Sequence, residues 1–458
     1  METAPEHGER SLRVISIEPV PKHYAWGSHT RLQDLFGMET GTPLAEMWFS
    51  GHASSPSLLR IWDGRAIALD EAIRTDPDFM VGPMSSHVFG PVLPYLFKLI
   101  SACIPLSLQV HPVGFEARAG YHREQVAGVP ADAPERSFRD MLAKHEMVVA
   151  LEPFQAAVGF MLPDLAAQAL AAVGEHPLAL RMMRALAGEP DPLADAMMPE
   201  AAIAWPPAHR RMFRAFHAAV TAQNSAGRGL SALLEAARLR AASVGGVPSR
   251  IGMAIDNACK AARAFSDDPS ALALLMMNPV RLDPGEAVFI PAGVPHEYIR
   301  GTGAEIMTNS DNVLRAGMTV KRRDIPNLLR SLDCQPSAPI DPQTCLQPPT
   351  SAPSATVPSA TLYRPPVDEF MLAYGHVGDW RVGDAGLAAN EVVSGDAGLP
   401  QGPRVLLCCE GRVRCADGMG ERALERGEAV FVPAGAGRLD IGSDAGATGA
   451  YLLASTPF

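Results

Sequence analysis

The spacing of apolar residues changes along the chain and divides it into segments. Residues 12–160 alternate short apolar runs with Gly, Pro and Ser, which is the pattern of short strands joined by turns. Residues 162–275 instead repeat apolar positions with the period of amphipathic helices, as in LPDLAAQALAAV and HRRMFRAFHAAV. Residues 278–330 and 367–458 return to strand-like runs. The pattern therefore predicts a mainly β chain with a helical insertion.

The segment 334–366 differs from its neighbours because it is rich in Pro, Ser and Thr. Such a composition is typical of a flexible linker, or of an extended arm that lies across a surface. We favour the arm, because a few apolar residues within the segment could anchor it.

One stretch of the chain occurs twice. LDPGEAVFIPAGVPHEYI (282–299) and LERGEAVFVPAGAGRLDI (424–441) match at ten of eighteen aligned positions without a gap. Two related β units predict two related β domains. Both copies follow the spacing G-x5-P-x-G, and the first continues to His296, where the second has Arg438.

This spacing resembles the second sequence motif of the cupins. The resemblance implies a strand that rises to a Pro-Gly turn, followed by a strand whose first side chain, His296, points into a barrel. A plain β-turn with a surface histidine is the alternative. The replacement of the histidine by Arg438 in the second copy predicts that only the first barrel carries a metal.

Further metal ligands are available upstream of the repeat. Gln109 and His111 are spaced i and i+2, so in a strand both project from the same face. A carboxylate could come from Glu116 or from Glu146, and spacing alone does not decide between them. One carboxylate, two imidazoles and an amide oxygen suit zinc or another borderline divalent ion.

Composition narrows the classes of partner. The chain has 458 residues with a formal net charge of −11, which argues against a general nucleic-acid or anionic-membrane partner. The N-terminal segment lacks the apolar region of a secretory signal. Seven cysteines without a C-x-x-C spacing predict free thiols in a reducing compartment. We therefore predict a cytoplasmic protein, a monomer, that acts on a small molecule.

The chain also resembles the type I phosphomannose isomerases over nearly its whole length. The matching segments are YAWGS (24–28), AEMWFSGHASSPS (45–57), LPYLFKLISACIPLSLQVHP (93–112), AVGFML (157–162) and the long block 278–321. The resemblance implies two cupin-like β-barrel or jelly-roll domains plus an α-helical domain. The implied divisions are a zinc-binding catalytic domain (1–160 with 275–333), a helical insertion (161–274), a connecting arm (334–366) and a metal-free domain (367–458).

The resemblance also implies a set of site residues. One zinc ion per chain would be bound by the ligands Gln109, His111, Glu146 and His296. His145 stands where the family has Pro, within a Lys-Pro-Glu sequence. Arg315 matches the active-site arginine of the family. The remaining pocket positions are Lys98, Tyr298, Glu46, Ser107 and Lys321, with Ser107 and Lys321 at the phosphate end. Any one of these residues could instead have a structural role.

The activity implied is the interconversion of mannose 6-phosphate and fructose 6-phosphate through a cis-enediol, which supplies or consumes mannose phosphate in mannose metabolism and GDP-mannose biosynthesis. The base that moves the proton between C2 and C1 could be Glu305, Lys144 or a zinc-bound hydroxide. Two other functions remain open: an isomerase of a different phosphosugar, and a sugar-binding protein with two cupin domains and no catalysis.

Overall fold

The computed structural model of the chain describes residues 14–61, 64–243, 249–342, 359–378, 401–417, 420–444 and 446–458. These residues form strands and helices, and no helix among them is both long and apolar enough to span a bilayer.

The strands belong to two large sheets. Their bounds are β1 (Ile15–Glu18), β2 (Val20–Lys22), β3 (Glu46–Ser50), β4 (Leu58–Arg60), β5 (Ala66–Ala68), β6 (Tyr95–Ala102), β7 (Leu108–Val110), β8 (Glu146–Ala150), β9 (Phe154–Phe160), β10 (Met277–Leu282), β11 (Ala287–Ile290), β12 (His296–Thr308), β13 (Leu314–Gly317), β14 (Ser359–Tyr363), β15 (Met371–Val377), β16 (Arg404–Asp417), β17 (Gly420–Glu425), β18 (Ala429–Val432), β19 (Asp440–Gly442) and β20 (Gly449–Ser455).

The first sheet runs β10-β9-β12-β6-β3-β2, with β7, β8, β11 and β13 attached to it. The second sheet runs β14-β15-β20-β16-β18-β1-β4-β5, with β17 and β19 paired to β16. Every pairing between these strands is antiparallel. The long strand β12 lies at the centre of the first sheet and pairs with β6, β7, β8 and β9.

The helices have the bounds α1 (Arg31–Phe36), α2 (Leu69–Thr75), α3 (Pro77–Met80), α4 (Pro83–Phe89), α5 (Gly114–Val126), α6 (Pro163–Ala171), α7 (Pro177–Ala187), α8 (Pro192–Met197), α9 (Pro207–Val220), α10 (Leu230–Ser243), α11 (Ser249–Ala264) and α12 (Ile325–Ser331). Helices α6 to α11 lie between β9 and β10, where the apolar period predicts them. Four of them begin with Pro, which has a preorganised φ and no N–H to leave unpaired in the first turn.

Apolar residues from both sheets meet in a shared core. Phe49 and Phe97 of the first sheet and Phe431 and Leu452 of the second sheet belong to the same buried cluster. A separate cluster joins the helices α6 to α11 to the first sheet, with Phe160 stacked edge-on against Phe216 at 5.4 Å. The combination of large antiparallel sheets and helices agrees with the predicted fold class at this level.

Two features differ from the sequence-based picture. The segment VGFEARAG, which looks loop-like in sequence, is the start of the thirteen-residue helix α5. That helix buries little more than Glu116, Ala117 and Gly120, so it has no apolar stripe to reveal it. Strands β1, β4 and β5 extend the second sheet, although the predicted division groups their residues with the first barrel.

Much of the predicted connecting arm, residues 343–358, lies outside the described residues, as does 379–400 of the predicted C-terminal domain. The described start of the arm touches the first sheet, through bridges from Pro336 to Phe160 and from Ile340 to Phe289. After the gap, Tyr363 is fully buried and its hydroxyl donates to the Gly285 carbonyl.

Candidate active site

Three predicted metal ligands come together inside the first sheet. His111 follows β7, Glu146 begins β8 and His296 begins β12, and all three side chains are buried. One ligand atom from each lies within 4.8 Å of the others. The Nε2 atom of His111 is 2.9 Å from Oε1 of Glu146, and that of His296 is 3.3 Å from Oε2. These residues could hold one metal ion.

The hydrogen bonds behind the two imidazoles favour metal binding. Nδ1 of His111 donates to the Asn312 carbonyl at 2.7 Å, and Nδ1 of His296 donates to the Val294 carbonyl at 3.0 Å. A neutral imidazole that donates from Nδ1 has a lone pair on Nε2. Both Nε2 atoms, together with Oε2 of Glu146, lack a hydrogen-bond partner among the described residues. Buried electron-pair donors that converge on one position are stabilised by a bound cation.

The pKa shifts of His111 and Glu146 also favour metal binding. Burial, reinforced by the nearby Lys144 ammonium, lowers the pKa of His111 to about 4, so this imidazole is neutral near pH 7. Burial would raise the pKa of the Glu146 carboxyl, but His111 and Lys144 outweigh it and hold that pKa well below its usual range. A carboxylate with neutral imidazoles is a donor set that zinc prefers.

Gln109, the fourth predicted ligand, lies in β7 beside this group. In the sheet, Gln109 is opposite His296 of β12 on one side and opposite Arg315 of β13 on the other. Residues opposite each other in antiparallel strands have side chains on the same face. Gln109 therefore faces the same side of the sheet as His296, and its coordination of a metal stays a prediction.

The two candidate carboxylates differ clearly in surroundings. Glu116 lies on α5, where its nearest ion-pair partner is Arg123 at 3.8 Å, and it is not part of the ligand group. Lys144, two residues before Glu146, places Nζ 3.1 Å from Oε1 of that carboxylate.

His145, between Lys144 and Glu146, faces away from the ligands. Its ring Nδ1 accepts a hydrogen bond from the Ala292 N–H, and its backbone N–H donates to Thr308 Oγ1, each at 3.2 Å. Proline could make neither bond. The histidine therefore links the residue before Glu146 to the turn after β11 and to the end of β12.

A buried ion-pair cluster lies on strands β3, β6 and β12 of the same sheet. Nζ of Lys98 on β6 is 3.0 Å from Glu46 of β3 and 2.6 Å from Glu305 of β12. The Trp48 indole donates to the second oxygen of Glu46 at 3.0 Å. Burial, and next the Glu305 charge, raises the pKa of Tyr298 well above its usual value. Four of the predicted pocket residues, Lys98, Glu46, Glu305 and Tyr298, are therefore neighbours.

Arg315 and Lys321 line a cavity of about 290 Å³ that also includes Arg136, Arg139 and Arg322. Burial, and next the Arg139 charge, lowers the pKa of Arg315. Desolvation and Arg315 likewise lower the pKa of Lys321. The cavity is thus rich in positive charge and is suited to an anion. Ser107, which precedes β7 and is half-buried, is not among its lining residues.

One supporting network was not predicted from the sequence. Asp140 accepts hydrogen bonds from the Ser310 hydroxyl, the Asp311 N–H and the Asn312 amide at 2.9 Å each. The backbone carbonyl of the same Asn312 accepts the hydrogen bond from Nδ1 of His111. The network therefore orients a metal ligand through the loop before β13. The polar run NSDN (309–312) is the signal that could have pointed to it.

A second unpredicted residue is Glu297, next to His296. It is fully buried, and both of its carboxylate oxygens lack a hydrogen-bond partner among the described residues. Burial, with the Asp268 charge, raises its pKa well above the usual range. Alternation along β12 directs it to the opposite face from His296.

Comparison with known proteins identifies the family of the chain. Residues 14–162 match the family described as phosphomannose isomerase type I, catalytic domain. The mannose-6-phosphate isomerase of Escherichia coli (strain K12) is 30% identical over 416 residues, which cover 90% of this chain and 93% of that protein. The enzyme of Salmonella typhimurium is 33% identical over 317 residues, 69% and 73% of the two chains.

Solved structures give the same result over a longer span. A structure of the Salmonella typhimurium enzyme bound to fructose 6-phosphate and zinc superposes with a TM-score of 0.74 at 27% identity, and covers 98% of this chain and 100% of the other. A zinc-bound mannose 6-phosphate isomerase superposes with a TM-score of 0.75 over the same shares. On sequence identity, coverage and fold together, the chain belongs to the type I phosphomannose isomerase family.

Proposed function

We propose that the chain catalyses the reversible isomerisation of mannose 6-phosphate to fructose 6-phosphate, through a cis-enediol, with one zinc ion. The observation that carries the proposal is the buried group of His111, Glu146 and His296, with its converging and unpartnered donor atoms. A solved relative that holds fructose 6-phosphate and zinc supports the choice of substrate and metal.

The proposed zinc ligands are Gln109, His111, Glu146 and His296. Bound zinc would polarise the adjacent O1 and O2 atoms of the sugar as a Lewis acid. The protein side chains then have to hold the open-chain sugar, accept a proton from C2 and return it to C1. Glu305 and Lys144 are the two proposed bases, since both are buried and ionisable and Lys144 lies beside a ligand.

The cationic cavity supplies the remaining functions. Arg315, whose planar guanidinium presents several donors, is proposed to stabilise negative charge on the enediol oxygens. Lys321, which lines the cavity, is proposed to hold the phosphate group together with Ser107, the residue before β7. An anchored phosphate restricts the sugar to a reactive position and lowers the entropic cost of the reaction.

The ion-pair cluster of Lys98, Glu46 and Tyr298 is proposed to bind the sugar hydroxyls. Its charged and polar groups are already desolvated, so a substrate hydroxyl that pairs with them recovers hydrogen bonds rather than losing them.

We also propose that the two sheets are cupin-type barrels with the predicted division of the chain, except that β1, β4 and β5 belong to the second. The support is the internal repeat, whose two copies share a left-handed glycine in the turn before the repeated strand, Gly285 with φ 86° before β11 and Gly427 with φ 87° before β18. A side chain at either position would be strained. The two units therefore share backbone geometry as well as sequence.

The proposal is tested with purified protein in a coupled isomerase assay on mannose 6-phosphate, together with elemental analysis. Glu146→Gln should lose most of its zinc and its turnover, since a metal-ligand charge is removed. Glu116→Gln is the matched control and should retain both. Turnover of another phosphosugar but not this one would favour a different isomerase. Zinc without turnover on any phosphosugar would favour a non-catalytic binding protein.

A further inference from the structure

A second and larger cavity, of about 680 Å³, lies apart from the metal group. It lies where the end of β6, the start of β9 and the middle of β12 meet helix α11 and the start of α1. None of its lining residues is one that we assign to catalysis. Cavities of 300–1,000 Å³ are the usual size for small-molecule sites. The cavity and the metal group come closest in sequence on β12, where Arg300 of the cavity follows His296 of the metal group by four residues. That separation is about 13 Å along a strand.

The charge of this cavity is opposite to that of the chain. Its lining includes four cationic side chains, Arg31, Lys260, Arg281 and Arg300, against the single carboxylate of Glu152. The whole chain has a formal net charge of −11. A concave positive surface on an acidic protein concentrates anions locally.

Two of these cations have protein partners and two do not. Arg31 is 3.0 Å from Glu152, and Lys260 is 2.6 Å from Asp256. Arg281 and Arg300 make no side-chain hydrogen bond or ion pair with any other described residue. The guanidinium groups of both are therefore available to a ligand.

The unpaired arginines are held in a row by strand register. Gln155 of β9 is opposite Arg300 of β12 on one side and opposite Arg281 of β10 on the other. Residues opposite each other project from the same face, so the two arginines flank the glutamine at about two strand spacings, roughly 10 Å. Lys260 of α11 donates to Gln155 Oε1 at 2.5 Å and closes the row from the helical side.

We propose that this cavity binds a small molecule that carries two phosphate groups, with one phosphate at Arg281 and the other at Arg300. Arginine binds phosphate through paired N–H donors, which makes each such contact stronger than a neutral hydrogen bond. The spacing of the row matches a molecule with phosphates at its two ends better than a single phosphate. The site does not depend on the function proposed for the metal group.

The exposed thiol of Cys103 lines the same cavity and reports on its occupancy. The holoenzyme is treated with iodoacetamide, and modification of the Cys103 peptide is followed by mass spectrometry, with and without fructose 1,6-bisphosphate as the probe. Because the readout is confined to this thiol, binding of the probe at the metal group does not register. We expect the bisphosphate to slow alkylation several-fold at physiological ionic strength.

Arg281→Gln combined with Arg300→Gln should weaken this protection by about ten-fold or more in apparent affinity, since two charge-assisted contacts are removed. The matched control is Arg184→Gln with Arg330→Gln, which removes the same charge from two exposed residues outside the cavity and should leave protection intact. Unchanged alkylation with the probe, or protection that survives in the Arg281/Arg300 variant, overturns the proposal. Equal protection by orthophosphate overturns the two-phosphate class.

Discussion

Replacement of Lys98 by methionine should destabilise the fold strongly, because it removes the only cation within ion-pair distance of two buried carboxylates in the described structure. Lys98 is 3.0 Å from Glu46 and 2.6 Å from Glu305, and all three side chains are buried. Breaking a buried pair by removing one partner typically costs about 3–5 kcal/mol. The methionine itself adds little, since it fills nearly the same volume.

The same magnitude follows from protonation. Without its lysine, Glu305 is expected to be protonated in the folded state, while in the unfolded chain it ionises near pH 4.3. At pH 7 the folded variant then holds a proton that the unfolded state releases, at a cost of about 3.7 kcal/mol, from 1.36 kcal/mol per pH unit. This is the ceiling on the difference from the parent, because burial already raises the pKa of Glu305 when Lys98 is present. Glu46 keeps its hydrogen bond from Trp48 and contributes less.

This argument fixes the sign of the pH dependence. The folded variant binds more protons than the unfolded variant, so its deficit grows as the pH rises above the unfolded pKa and shrinks as the pH falls. Between pH 7 and pH 5 the deficit of Lys98→Met should fall by at most about 2.7 kcal/mol. The melting temperature of the variant should be lowered accordingly, by about 2–4 °C per kcal/mol for a domain of about 150–250 residues.

The assay is thermal unfolding of the zinc-loaded protein between pH 5 and pH 7. Lys98→Met with Glu305→Gln should recover most of the loss, because the unpaired carboxyl is gone. Lys22→Met is the matched control: Lys22 is half-buried, donates to Ser55 at 2.6 Å and lies over the Trp48 ring. It should cost about 1 kcal/mol or less. A Lys98→Met protein that melts like the parent at pH 7, or a deficit that is independent of pH, would refute the reasoning.

Three further predictions concern the metal, the arginine of the cavity and the second copy of the repeat. Elemental analysis should find about one zinc per chain, and close to none after His111→Ala with His296→Ala, whereas retained metal would contradict the ligand assignment. Arg315→Lys should lower kcat by about 10²–10³ with little change in KM or zinc content, and a raised KM at constant kcat would move Arg315 to phosphate binding. Arg438→Ala should leave turnover within about three-fold of the parent, because this side chain is exposed and forms a surface ion pair with Asp440; a loss like that of a ligand variant would contradict it.

The part of the site that sequence could predict depends on local rules. The strand period directs Gln109 and His111 to one face, and the Pro-Gly turn of the repeat directs attention to His296. Both rules need only a few neighbouring residues. The choice between Glu116 and Glu146 was different, because spacing left it open. It depends on β8 lying beside β12, a pairing between residues about 150 positions apart that no local pattern encodes.

Three other features, helix α5, the pairing of β1 and the role of Asp140, could not be predicted because they also depend on contacts between distant parts of the chain. Helix α5 packs through Ala117 and Gly120 rather than through an apolar stripe, so periodicity cannot reveal it. Strand β1 carries an ordinary alternating pattern, which predicts a strand but not that it pairs with β18 of the second sheet. Asp140 supports His111 through Asn312, and this is visible only once two loops are seen together.

The two copies of the repeat show how a metal site and its loss can arise on one backbone motif. In both copies the turn before the strand places a glycine, Gly285 or Gly427, at nearly the same positive φ. The Pro-Gly turn after the strand differs, because Gly293 has a φ of 90° whereas Gly435 does not have a positive φ. After the Pro-Gly turn of the first copy β12 begins at His296, which is fully buried with its Nδ1 held by the Val294 carbonyl. In the second copy this turn forms the short 3-10 segment Ala434–Ala436, and the side chain of Arg438 is 59% exposed.

The second copy therefore does not present a side chain into the interior at this position, whatever residue is placed there. Restoring histidine alone, as Arg438→His, should not create a zinc site, because burial and a backbone acceptor for Nδ1 are both missing. A second equivalent of zinc in that variant would show that residue identity, rather than the backbone after the turn, limits metal binding in this copy.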